Sequence, residues 1–150
     1  MGIDYGTARV GVALSDAVRI TAQPFEVVPA VGAAKRLAQI VDEERVSFIV
    51  VGLPLHLSGD SGPSARGARA LADELRTLVE VPVALADERF TSKIAERALL
   101  EGNVRRRDRR RAVDKVAAAV MLQSVLDRPG GVDSLTPLET VDTQASLDQQ

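Results

Sequence analysis

The chain contains no cysteine, which removes disulfides, thiolate metal sites and thiol nucleophiles together. It has no tryptophan and a single histidine, His56. A histidine-rich metal site is therefore impossible, and any Ser-His-Asp triad would rest on that one residue. Aromatic residues make up 3% of the chain: Tyr5, Phe25, Phe48 and Phe90. That is too few for a base-stacking platform of the single-strand-binding type. No apolar run approaches the roughly 20 residues needed to cross a bilayer. The first residues lack the basic start and apolar stretch of a signal peptide. These absences point to a cytoplasmic protein whose chemistry runs on carboxylates, hydroxyls, Lys and Arg.

What is present suits one domain. The 150 residues are 45% hydrophobic, enough to bury a substantial core. The net charge of −2 conceals an asymmetry: from Asp127 onward there are five acids and one Arg, a charge of −4, which leaves +2 for residues 1–126. Six of the seven residues at 105–111 are Arg. A mildly acidic chain thus offers a concentrated basic surface to a polyanion.

The pattern predicts strands first. Gly2–Tyr5 and Arg9–Ser15 read as extended runs joined by a tight turn at Gly6 and Thr7, and Phe25–Val28 as a third strand between Pro24 and Pro29. Gly32–Glu44 follows the helical period, with Leu37, Ile40 and Val41 on one stripe. Ser47–Gly52 is a continuously apolar strand covered on both faces. A Gly/Ser/Asp loop over 55–63 leads into a helix from Ser64 to about Val79, with Leu71, Leu75 and Leu78 facing inward. Val81–Ala86 is another buried strand, followed by a helix over Ser92–Glu101 that Gly102 and Asn103 end. The last helix, from about Arg109 to Leu126, is apolar almost all round and so packs on several sides. The expected fold is α/β: a mixed five-stranded sheet with three antiparallel strands first, parallel βα units after, and helices on both faces. The domain is expected to span 1–128, and the polar, acidic stretch 129–150 to be a disordered tail.

Three acids sit where acids are awkward. Asp4 lies inside the first strand, Glu88 immediately follows a buried strand, and Asp114 precedes Ala117, Ala118 and Met121 on the last helix. A buried carboxylate costs several kcal/mol unless paired, neutralised or coordinated. Three on separate elements invite a common explanation, convergence on hard cations. Oxygen ligands without imidazole or thiolate favour Mg²⁺ or Mn²⁺. Two such ions ~3.5–4 Å apart activate water and stabilise the leaving oxygen of a phosphodiester. Each acid also has a plainer reading: Asp4 as a turn cap with Gly6 and Thr7, Glu88 as partner to Arg89, Asp114 as a helix acid favoured by the dipole.

Five blocks in order give the chain a resemblance. They are Gly2-Ile3-Asp4-Tyr5-Gly6-Thr7 with Arg9-Val10-Gly11; Ile20-Thr21-Ala22-Gln23-Pro24; Val51-Gly52-Leu53-Pro54; Asp87-Glu88-Arg89-Phe90-Thr91; and Val113-Asp114-Lys115-Val116-Ala117-Ala118. From Gly2 to about Leu126 the chain resembles the YqgF/RuvX family, Holliday-junction-resolvase-like proteins also described as pre-ribosomal-RNA nucleases. The resemblance implies a ribonuclease H-like fold and cleavage of structured nucleic acid, with the 5′ end of pre-16S rRNA as the assigned substrate and branched DNA as another. It puts the family's acidic positions on Asp4, Glu88 and Asp114. The chain departs from the family in starting directly before the Gly-Ile-Asp block and in carrying His56 where Asn is common.

Arg105, Arg106, Arg107, Arg109, Arg110 and Arg111 surround the start of the last helix. Cations there oppose the helix dipole and repel each other, so phosphate is their expected partner, with a solvated helix end as the plainer reading. Arg9, Arg89 and Lys115 join them as candidate nucleic-acid contacts, and Thr7 and Thr91 as auxiliary positions. Expected partners are nucleic acid and ribosomal precursor particles, with the protein a monomer or homodimer. Two other readings stay open. Asp4-Tyr5-Gly6-Thr7 also resembles the phosphate loop of actin-like and sugar-kinase ATPases, which bind nucleotide between two domains where this chain supplies one. A catalytically silent RNA-binding ribosome-assembly factor would keep the same residues without turnover.

Overall fold

A computed structural model describes residues 1–53, 62–87 and 106–139, and the side chains of all of these save 87 and 106–114. The order is β1 (Gly2–Tyr5), β2 (Arg9–Ser15), β3 (Ala22–Pro29), α1 (Ala33–Glu43), β4 (Ile49–Leu53), α2 (Pro63–Leu78), β5 (Val83–Asp87) and α3 (Arg106–Leu126). The sheet runs β3-β2-β1-β4-β5. β1 pairs antiparallel with β2, Ile3 opposite Val12, and parallel with β4, Ile3 opposite Val51. β2 and β3 are antiparallel, and β4 and β5 parallel. This is the mixed sheet that the sequence predicts.

The turn between β1 and β2 depends on glycine. The Gly6 N–H donates to the Arg9 carbonyl at 2.9 Å. A Cβ at residue 6 would stand 2.6 Å from that same oxygen, closer than any side chain tolerates.

Alternation along the strands makes two unlike faces. On one, Ile3, Val10, Val12, Ile49, Val51 and Leu53 pack with Leu37, Ile40 and Val41 of α1 and Ala68, Leu71 and Leu75 of α2. On the other, Ala13, Val50, Ala84 and Ala86 meet Ala118, Met121, Leu122 and Val125 of α3. This second face is built of small residues, and α3 lies close against it: a Cβ at Gly2 would be 2.8 Å from Leu122 Cβ. The Gln123 amide fixes the far end of the helix. Its oxygen accepts from the Ala22 N–H at 2.9 Å and its nitrogen donates to the Ile20 carbonyl at 2.8 Å.

The structure differs from expectation at several points. β3 runs through Pro24 and Pro29 because it is an edge strand, where a missing N–H costs no ladder bond. Leu78 is 51% exposed; α2 ends there, with the Val79 N–H closing onto Leu75, so the inward stripe stops at Leu75. The disordered tail expected from residue 129 is corrected for its first part. A 3₁₀ turn spans Gly131–Ser134, Val132 is buried, and the Leu138 N–H donates to the Val83 carbonyl at 2.7 Å. Val132, Leu135, Pro137 and Leu138 supply local apolar anchors that the polar average of the segment hides. The expected loop at 55–61, the helix at 92–101 and the tail at 140–150 lie outside the described residues.

Candidate active site

Asp4 lies on the central strand with a glycine on either side. Its partner on β2 is Gly11 and its partner on β4 is Gly52, which in turn faces Ala86 of β5. Residues in register on adjacent strands project from the same face, so from β2 to β5 this row carries only one side chain larger than a methyl group. Two residues earlier, Gly2 packs under Leu122, so Asp4 projects from the α3 face. Its carboxyl is half-buried. The positions in register with it on the two adjacent strands carry no side chain.

α3 runs antiparallel to β1. Its Gln123 end reaches Ile20 and Ala22, and the Ala118 carbonyl stands 3.4 Å from where a Gly2 Cβ would be. One helical turn back from Ala118 covers ~6 Å, and two strand residues forward from Gly2 cover ~7 Å. The backbone of position 114 therefore rises to about the level of Asp4. Both belong to the edge of the sheet formed by the C-terminal ends of β1, β4 and β5, where open α/β sheets hold their ligands.

The other predicted residues fall as follows. Thr7 is exposed in the β1–β2 turn, and Arg9 is half-buried at the start of β2, at the same sheet edge. Lys115 is half-buried on α3. Its charge reaches Glu26: the Arg36 guanidinium, hydrogen-bonded at 2.8 Å, holds the Glu26 carboxyl below its usual range, and Lys115 adds to the effect. Arg106, Arg107, Arg109, Arg110, Arg111 and Asp114 lie in α3, their side chains not described. Glu88, one residue past the end of β5, lies outside the described residues, as do Arg89, Thr91 and Arg105. Among the described residues no three His, Cys, Asp or Glu side chains gather as a metal site, and of the three predicted ligands only Asp4 has a described side chain.

Sequence reasoning missed Gly11 and Gly52 as the neighbours of Asp4 in the sheet. The signal was available: a glycine inside a buried strand marks a close approach, and both interrupt apolar runs. It also missed the contact of Tyr5 with Gly67 of α2, where an added Cβ would lie 2.3 Å from the phenol ring. A 380 Å³ cleft lined by Met1, Asp16, Arg19, Glu44, Arg45 and Phe48 opens at the opposite end of the sheet. It carries mixed charge and none of the predicted ligands.

The family model described as "RuvX: Holliday junction resolvase" matches residues 1–128. A protein of Roseiflexus sp. (strain RS-1) named "Putative pre-16S rRNA nuclease" is 41% identical over 130 residues, covering 85% of this chain and 92% of its own. A protein of the same name from Geobacillus kaustophilus (strain HTA426) is 44% identical over 133 residues, covering 85% and 96%. Among solved structures, T. thermophilus RuvC in complex with a Holliday junction substrate aligns at a TM-score of 0.53 and 15% identity, covering 91% of this chain and 97% of that one. That likeness fixes the fold as ribonuclease H-like and carries no further weight.

Proposed function

The chain belongs to the RuvX family of Holliday junction resolvases, and from that premise we propose that it is a nuclease that hydrolyses phosphodiester bonds in structured nucleic acid, with the 5′ end of pre-16S rRNA as its substrate. Branched DNA is the alternative substrate within the same chemistry. The single observation that carries the reading is Asp4 on the central strand with Gly11 and Gly52 beside it. A half-buried carboxylate on the central strand is a poor core residue and a good metal ligand.

Asp4, Glu88 and Asp114 would hold a divalent cation, Mg²⁺ or Mn²⁺, in a one- or two-ion site. The all-oxygen donor set fits such hard ions. When bound, the metal supplies an activated water and stabilises the departing oxygen. The chain's own contribution is position: β1 sets Asp4, and α3 carries Asp114 on a helix clamped to the sheet. The arginines at 105–111, with Arg9, Arg89 and Lys115, would hold the sugar-phosphate backbone without reading sequence, and Thr7 and Thr91 would assist at the turn and beyond β5. Ribosomal precursor particles are the proposed partner and the cytoplasm the proposed site of action. No described helix is long and apolar enough to cross a membrane.

The test is a side-by-side cleavage assay on precursor ribosomal RNA, a four-way DNA junction and single strands, with Mg²⁺ or Mn²⁺. Metal-dependent cutting of the precursor supports the proposal. Binding without cutting of any substrate would replace it with the RNA-binding assembly factor.

A further inference from the structure

The three described α-helices carry cations toward their N-terminal ends. α1 carries Lys35 and Arg36 near its start and Asp42 and Glu43 at its end; α2 carries Arg66 and Arg69 in its first half, and Asp73 and Glu74 in its second half together with Arg76 in its last turn. Neither has an acid in its first turn. α3 begins with an arginine run and has no base in its last turn. A cation in the first turn of a helix opposes the dipole, so bases toward that end of three helices ask for a use.

All three cationic ends meet at one edge of the sheet. The Ala30 N–H, just before α1, donates to the Ala8 carbonyl of the β1–β2 turn at 3.0 Å. α2 brings Gly67 against Tyr5, the residue after Asp4. α3 runs back from Gly2 toward the level of Asp4. Arg36 is taken up by Glu26 and Glu43. Lys35, Arg66 and Arg69 are exposed, and among the described residues none of them has an ion-pair partner. They stand on the face of the sheet opposite α3.

We infer that Lys35, Arg66 and Arg69 form a second phosphate-contacting surface, on the α1–α2 face, so that the nucleic acid straddles the sheet edge at Asp4 with cations on both sides. The inference rests on the nuclease reading for its ligand and extends the footprint to a face that the arginine run at 105–111 does not occupy. The contact is with backbone phosphate and independent of base sequence, because these are long cationic side chains and the Tyr5 ring is packed on Gly67.

The experiment measures binding of the full chain to a long-stemmed RNA hairpin across a salt series, without divalent metal, beside thermal melts. Each phosphate contact contributes roughly 0.7–0.9 to the slope of log K against log salt. The triple variant Lys35→Gln, Arg66→Gln, Arg69→Gln is expected to flatten the slope by about 2 units, and its melting temperature to hold or rise, since cations leave the positive ends of two helices. The charge-preserving pair Arg66→Lys, Arg69→Lys is expected to keep the parent slope, and single Arg66→Gln and Arg69→Gln variants to lose part of it. An unchanged slope in the triple variant overturns the surface. The two readings fail separately: a parent that cuts RNA beside a triple variant of unchanged slope sinks the surface alone, and a parent that binds with a steep slope lost in the variant but never cuts sinks the nuclease and keeps the surface.

Discussion

Asp4 and Gly52 stand in register on β1 and β4, so the neighbouring position on that side carries no side chain. The same holds of Gly11 on β2. The central strand thus sets the position of the Asp4 carboxylate, with no in-register side chain on either adjacent strand.

Replacing Asp4 by Asn keeps the side-chain size and removes the charge a divalent cation needs. Cleavage should fall by at least two orders of magnitude, while binding through the arginines persists. Without metal the variant's stability should hold or rise, because carboxylate repulsion is relieved. Added Mn²⁺ should raise the parent's melting temperature more than the variant's. Equal cleavage time courses for the two proteins would remove Asp4 from the mechanism.

Gly52→Ala tests the glycine in register with Asp4. One methyl group beside Asp4 should cut metal-dependent activity about tenfold and shrink the Mn²⁺-induced thermal shift, with metal-free stability changing by no more than ~1 kcal/mol. A large loss of stability with full activity per folded molecule would mean that the glycine serves packing alone.

Replacing Arg106, Arg107 and Arg110 together by Gln should weaken nucleic-acid binding across sequences. The salt dependence should flatten by roughly 0.7–0.9 per lost contact. Unchanged affinity and slope would show that this end of α3 is merely solvated.

The fourth expectation concerns pH. In a chain whose amino terminus is Met1, the amine is buried and donates to the Phe48 carbonyl at 2.9 Å. Burial first, and Arg19 second, lower its pKa from 8.0 to about 5. Between those values the unfolded chain holds a proton that the folded chain releases. Stability should therefore rise as pH goes from about 5 to 8, by up to ~1.4 kcal/mol per pH unit, and level off beyond. Denaturant midpoints across that range check it, and a flat profile would refute the burial of the amine. An acetylated terminus should lack the slope.

Much of this was legible beforehand because the signals were local and periodic. The apolar run ending at Val51 could only be a covered strand, and Leu37, Ile40 and Val41 could only be a helical stripe. Asp4 stood out as a charge inside such a run. Gly11 and Gly52 did not, because their meaning appears only when register puts them on either side of Asp4, and register is a tertiary fact. The cations of α1 and α2 were hidden for a related reason: Lys35, Arg66 and Arg69 are scattered in sequence, and only the helix directions gather them at one edge. Docking of residues 131–138 was masked by averaging, four apolar side chains being diluted among polar neighbours.

The contact between Gly2 and Leu122 has a mechanical consequence. With no side chain at residue 2, α3 rests almost directly on the strand backbone, and the thickness of that contact gauges the height of the whole helix above the sheet. A larger residue there would work as a wedge, tilting α3 about its Gln123 anchor so that the displacement grows toward position 114. Such a change would touch no charged group and leave every candidate ligand in the sequence, yet detune the site from the far end of the strand. Position 2 is in that sense a spacer of zero thickness, and the height of α3 over Asp4 is set there.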